Sequence, residues 1–84
     1  PPTLLRWQAE GSRAEWMTPA YPTLTFPNHY TLVTGLVPDR HGIVHNRMVD
    51  AELGPFRLSL RAAVSDGRWW DEAEPLWVTV QRHG

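Results

Sequence analysis

Thr25 is the residue whose neighbours in the sequence could most directly do chemistry. It stands two places before Pro27, at the head of Phe26-Pro27-Asn28-His29-Tyr30-Thr31-Leu32-Val33-Thr34-Gly35, which predicts a short helix. Pro27 suits a first helical residue and Gly35 the residue just past the last turn. A helix start offers unpaired backbone N–H groups and roughly half a positive charge. An anionic phosphate is stabilised there, and so is the alkoxide of a hydroxyl side chain. Threonine is a weak nucleophile at its free pKa and needs a base or a metal to activate it. No base stands near in the sequence, so a divalent cation is the natural activator. Taken locally, a threonine before a helix is ordinarily a cap or turn residue, and the local pattern leaves both roles open.

Other residues with chemical potential have plainer explanations. His41 and His45 are four apart, which on a helix would place two metal ligands on one face. Gly42 and the β-branched Ile43-Val44 between them predict a turn and then a strand, where that geometry fails. His29 reads as a helix residue with a satisfied hydrogen bond. Asp71, Glu72 and Glu74 form an acidic cluster that a solvated loop explains. Trp69, Trp70 and Trp77 suggest either a sugar platform or packing against the rest of a domain.

The elements that must position these residues are short. Pro2 to Gly11 predicts a helix with Gly11 as its stop, and Ala14 to Thr18 a strand bounded by Pro19. Pro19 to Leu24, with prolines at 19 and 22, runs extended and irregular. In the central helix Phe26, Tyr30 and Val33 fall on one face. Leu36 to Gly42 is a turn and Ile43-Val44-His45 a brief buried strand. Phe56 to Leu60 alternates like a strand, although Leu58 to Val64 could equally be helical. Ser65-Asp66-Gly67 is a turn, and Pro75 opens a last helix, Leu76 to Gln81. Helices alternating with short strands predict an α/β layer architecture.

Composition narrows the function classes. An 84-residue chain has room for at most one domain with a thin stability margin. There are no cysteines, which excludes disulfides and thiolate metal sites. The formal net charge is −1, with no basic excess of the kind a nucleic-acid backbone binder carries. No apolar run approaches the roughly 18 residues of a membrane span. Neither an initiator Met nor a signal-peptide pattern opens the sequence, and the chain reads as excised from something longer.

One long stretch carries a family resemblance. Pro22 through Leu36, followed by Pro38, His41-Gly42-Ile43-Val44 and Asn46, resembles the nucleophile segment of the nucleotide pyrophosphatases/phosphodiesterases, within the alkaline phosphatase superfamily. The match is close over about residues 18 to 50, and fainter agreement runs from Trp69-Trp70 to Glu74-Pro75-Leu76-Trp77-Val78-Thr79. The resemblance implies an α/β fold with helices packed on a mostly parallel central sheet, of which residues 1–84 would be an N-terminal portion truncated at both ends. It implies that Thr25 is the nucleophile, passes through a covalent phospho-threonine intermediate, and also touches one of two zinc ions. Phe26 would line the pocket by stacking on a base or other leaving group, although an aromatic at a helix start is otherwise a staple. Asn46, 46 − 25 = 21 residues past the nucleophile, would donate its amide to a non-bridging phosphate oxygen, although it is otherwise an ordinary turn residue. A neutral donor suits a diester, where an arginine would favour a monoester.

The same resemblance places most zinc ligands, Asp and His, outside this segment. It implies a nucleotide, dinucleotide or choline phosphodiester as substrate, and a periplasmic or extracellular location. Two features depart from the family pattern. Leu24 stands where a Lys is common in animal members, and Trp69 to Glu74 replaces the usual Gly-rich approach to Glu-Pro. The rival readings are a non-catalytic remnant of such an enzyme and an aromatic-rich binding module.

Overall fold

The computed structural model describes residues 1–84. Five short α-helices, one 3-10 turn and one hairpin follow each other along the chain. They are α1 (Pro2–Glu10), α2 (Thr25–Thr34), α3 (Pro38–His41), β1 (Arg47–Asp50), β2 (Gly54–Arg57), α4 (Arg61–Val64), the 3-10 turn Gly67–Trp70, and α5 (Leu76–Arg82).

Helix α2 begins two residues earlier than the sequence suggests. Thr25 is its first residue and Pro27 its third, while Leu24 has extended backbone. The shift costs nothing, because none of the first four N–H positions of a helix has an intrahelical partner and a proline fits any of them. The other end matches expectation: Gly35 turns left-handed at φ 72° and its N–H returns to the Thr31 carbonyl at 2.9 Å. Left-handed backbone at this place favours glycine, which carries no Cβ penalty.

The hairpin pairs Arg47 with Arg57, Met48 with Phe56, Val49 with Pro55 and Asp50 with Gly54. Alternation along the strands turns Phe56 into the core and leaves Val49 exposed. At the turn the Asp50 carboxylate accepts from the N–H groups of Glu52 and Leu53 at 2.8 and 2.9 Å. Those bonds hold its carboxyl below the ordinary carboxylate value.

The core is small and aromatic. Tyr30, Ile43, Phe56, Ala63 and Trp69 are buried, and Phe26, Val33, Met48 and Trp70 pack around them. Phe56 meets Trp69 at 5.0 Å between ring centroids, and Tyr30 meets Trp70 edge to face at 5.1 Å. The Tyr30 hydroxyl lies 2.7 Å from the Trp70 carbonyl and 3.1 Å from that of Ala73, so one O–H serves both and ties α2 to the segment after the 3-10 turn. Burial, with the Asp71 carboxylate as a second cause, pushes the Tyr30 phenol up. Phe26, Tyr30 and Val33 do share one inward face, as their spacing predicts.

Outside this cluster the chain is open. Helix α1 buries no residue, and residues 12–19 are all exposed. The radius of gyration is 16.1 Å, against about 12 Å for a compact chain of this length.

Three expectations are corrected. Ala14 to Thr18 is not a strand: no other segment lies beside it to complete a ladder, and a strand exists only through such pairing. Ile43-Val44-His45 is likewise irregular, although Ile43 is fully buried. The mostly parallel sheet expected for the fold class does not occur within these residues, whose only sheet is the two-stranded antiparallel hairpin. No helix is long and apolar enough to cross a membrane.

Candidate active site

Three polar side chains build the surroundings of Thr25, and each belongs to a different stretch of sequence. Asn28, on the first turn of α2, holds the incoming chain. Its Oδ1 accepts from the Ala20 N–H at 2.9 Å, and its Nδ2 faces the carbonyls of Ala20, Pro22 and Leu24 at 3.2, 3.0 and 3.1 Å. The proline-rich approach has few main-chain donors of its own, so a side chain organises it. Thr25 follows directly and is exposed, with its hydroxyl bonded to no protein group.

Asn46 completes the helix start from the other side. Its Oδ1 accepts from the Phe26 N–H at 2.9 Å. The bond caps one of the orphan donors of α2 from 20 residues away, where no local side chain does so. It also orients the amide: with the oxygen committed to the backbone, the NH2 edge is the part left to bind something else beside Thr25. A freely oriented turn residue would not have this property.

His41 is the third. It is fully buried, at the end of α3. Nε2 lies 3.1 Å from the Pro27 carbonyl and 3.0 Å from Thr31 Oγ1, while Nδ1 accepts from the Ile43 N–H at 3.1 Å. The accepting Nδ1 assigns the proton to Nε2, which makes the ring neutral. Burial holds the imidazole below its ordinary value, against weaker upward pulls from its backbone bonds and Asp39. With both nitrogens engaged, no lone pair is left for a metal.

Phe26 lies on the core side of the site. Its ring meets Phe56 at 5.8 Å and Trp70 at 6.0 Å. With His29, Tyr30, Val33, Trp70 and Trp77 it lines an apolar pocket of about 270 Å³. A second pocket of about 400 Å³, beside Asn46, is bounded by His45, Arg47, Arg57 and Ser59. Arg47 and Arg57 face each other across the hairpin and neither has a carboxylate partner, so the space next to Asn46 is positive.

The residues present do not build a zinc centre. No three His, Asp or Glu side chains converge, and His45 Nδ1 accepts from the Arg47 N–H at 3.0 Å. A zinc shell needs about four donors, of which Thr25 Oγ1 could be one. His29 Nδ1 pairs with the Thr25 carbonyl at 2.8 Å, as expected of a helix residue. In the acidic cluster, Glu74 is taken by Arg82 at 3.0 Å and by the Thr79 hydroxyl at 3.2 Å. Trp69 and Trp70 pack in the core and Trp77 stays largely exposed. Sequence reasoning singled out Thr25, Phe26 and Asn46, and the structure brings all three to one helix start. It missed the bracing roles of Asn28 and His41, for which no local pattern gives a signal.

A free hydroxyl at a helix start, a docked carboxamide and a positive margin together favour a bound anion such as a phosphate group. The sequence profile of the type I phosphodiesterase/nucleotide pyrophosphatase family matches residues 1–84, and the chain belongs to that family of hydrolases. It is 42% identical over 83 residues to an uncharacterized pyrophosphatase/phosphodiesterase of Schizosaccharomyces pombe, covering 98% of this chain and 17% of the relative. It is 45% identical over 83 residues to a bis(5'-adenosyl)-triphosphatase of Xenopus laevis, covering 99% of this chain and 18% of that protein. Murine ectonucleotide pyrophosphatase/phosphodiesterase 5 superposes with a TM-score of 0.84 at 42% identity, over 99% of this chain and 22% of the murine one. An inactive threonine-to-alanine variant of the murine protein, in complex with AMP, superposes with a TM-score of 0.83 at 40% identity over the same shares. The chain thus spans less than a fifth of the length of either curated relative.

Proposed function

We propose that the chain is the nucleophile-bearing part of a zinc-dependent phosphodiesterase/nucleotide pyrophosphatase of the alkaline phosphatase superfamily, and that Thr25 attacks phosphorus. The observation that carries the reading is the Asn46 Oδ1 bond to the Phe26 N–H, which anchors Asn46 at the helix start bearing Thr25 and leaves its NH2 group without a protein partner. That the inactive murine variant lacks a threonine supports a threonine nucleophile.

In this reading Thr25 Oγ1 forms a bond to phosphorus as the bond from phosphorus to the leaving oxygen breaks in line on the far side, and the threonine proton ends on the departing alcohol or nucleotide. A covalent phospho-threonine results, and water attacking that phosphorus releases the monoester and restores the hydroxyl. Asn46 donates its NH2 to a non-bridging oxygen, and the unpaired N–H of Thr25 and the helix dipole favour the same charge. Phe26 offers the edge of its aromatic cluster to the leaving group. Two zinc ions belong to the reading through the family, with Thr25 Oγ1 as the single ligand from these residues; the other donors belong to polypeptide outside them.

The AMP complex of the murine relative and the dinucleotide activity in the amphibian relative's name favour a nucleotide substrate over a choline phosphodiester. The ecto-enzyme names of relatives favour an extracellular location, which the family resemblance extends to the periplasm. The test uses the full-length gene product with bis(p-nitrophenyl) phosphate and zinc. Thr25→Ala should lower turnover by at least about 10³-fold, and acid quenching should trap a phosphoryl adduct on Thr25. Asn46→Ala should cost about 10²-fold. Undiminished turnover in Thr25→Ala refutes the assignment.

A further inference from the structure

His41 does not touch the place where a phosphate would sit, yet its bonds connect both segments that do. From Nε2 it reaches the carbonyl of Pro27, in the first turn of α2, at 3.1 Å, and the hydroxyl of Thr31 one turn later at 3.0 Å. From Nδ1 it accepts the Ile43 N–H at 3.1 Å. Gly42 makes that second bond possible, because its left-handed backbone at φ 86° folds the chain back onto the ring just left. Ile43 is then fully buried, and three residues later Asn46 returns to α2 through the Phe26 N–H at 2.9 Å.

These contacts form a closed circuit: from Pro27 through the imidazole to Ile43, along the chain to Asn46, and back to Phe26. We propose that His41 is a positioning residue, which closes this circuit and so sets where the Asn46 amide stands relative to Thr25. The inference deepens the proposed phosphodiesterase and rests on that reading for its catalytic consequence. Each bond has a distinct role. The Pro27 carbonyl fixes the ring against the helix that carries the nucleophile, and the Ile43 N–H fixes the loop that carries the donor. Imidazole spans the two because its nitrogens lie on opposite sides of a rigid ring, one donating and one accepting. Asparagine can replace only the nearer nitrogen and glutamine only the farther, so either substitution opens the circuit at one point. Because a misplacement of about 1 Å near the reacting atoms costs up to about 10²-fold in rate, a remote break is visible in turnover.

The test compares wild type, His41→Asn, His41→Gln, Asn46→Ala and the double variants in the full-length gene product. One readout is kcat/KM on bis(p-nitrophenyl) phosphate; the other is hydrogen exchange at the Phe26 amide, with the Val64 amide of α4 as reference. The circuit predicts a fall of about tenfold to 10²-fold in either His41 variant, nearly absent when Asn46 is already alanine. It also predicts about tenfold faster exchange at Phe26 with Val64 unchanged. Should one variant fail to fold, the other carries the same comparison. A merely structural histidine predicts additive losses of rate and uniform loosening at Phe26 and Val64, and that result overturns the proposal. If wild type does not hydrolyse the diester but exchange at Phe26 responds selectively, the phosphodiesterase reading fails and the positioning circuit stands. If Phe26 exchange is unmoved in both His41 variants, the circuit is wrong whatever the activity.

Discussion

Replacing Asn28 by alanine removes the brace that delivers the chain to Thr25, and its size can be worked out from the geometry. The side chain has one accepting contact, to the Ala20 N–H, and one NH2 group facing three carbonyls at 3.0 to 3.2 Å. Two amide hydrogens cannot fully serve three acceptors, so three hydrogen bonds is the appropriate count. At about 1 kcal/mol net for each, the loss would be about 3 kcal/mol. The Leu24 carbonyl, however, keeps the Asn28 main-chain N–H at 3.2 Å, and the site is half-buried, so water reaches part of what is freed. A local destabilisation of about 2 kcal/mol remains, which speeds hydrogen exchange at Ala20 about 30-fold. Exchange followed by mass spectrometry on a peptide covering residues 18–24 of the full-length gene product measures it. Asn28→Asp is an informative second variant, because it keeps the acceptor for Ala20 and sets a carboxylate oxygen against the three carbonyls in place of the donors. Ala20 exchange within about twofold of wild type in Asn28→Ala would refute the brace.

Three further outcomes are expected. Tyr30→Phe leaves the Trp70 and Ala73 carbonyls without their shared donor and should cost about 1–2 kcal/mol in urea unfolding, with the m-value unchanged. His41 is held neutral, its pKa below the ordinary 6.5, so the unfolded chain binds a proton more readily than the folded one. Its stabilising contribution is full above about pH 6.5 and is lost as the pH falls through the folded value; the unfolding midpoint of wild type should drop more between about pH 7.5 and 5 than that of His41→Gln. Residues 1–84 expressed alone should neither retain zinc on dialysis nor hydrolyse bis(p-nitrophenyl) phosphate, because they bring no three convergent ligands; turnover by the purified 84-residue chain would contradict this.

Sequence alone determined the parts of this protein whose physics is local. Helix α2 was legible because Pro27 and Gly35 punctuate it and because Phe26, Tyr30 and Val33 repeat at helical spacing. Helices α1 and α5 were legible for similar reasons, each opening at a proline. The long ordered run around Thr25 was enough to identify the family, since a match of that length does not depend on folding. Sequence reasoning failed where an element exists only through a partner. Ala14 to Thr18 has strand composition but nothing to pair with among these residues, and β1 was missed because its pairing with β2 is what makes Arg47–Asp50 a strand.

The tertiary structure alone decided how the site is assembled. Nothing in the order of residues shows that Asn46 caps the helix bearing Thr25 from 20 positions away, or that a buried neutral His41 joins Pro27 to Ile43. Nor does it show that Asn28 turns back to hold Ala20. These are long-range hydrogen bonds between side chains and main chain, and their partners are chosen by three-dimensional proximity, on which residue spacing is silent. The order of residues therefore singled out Thr25 and its family, whereas the hydrogen bonds that gather Asn28, His41 and Asn46 around its helix start came from folding.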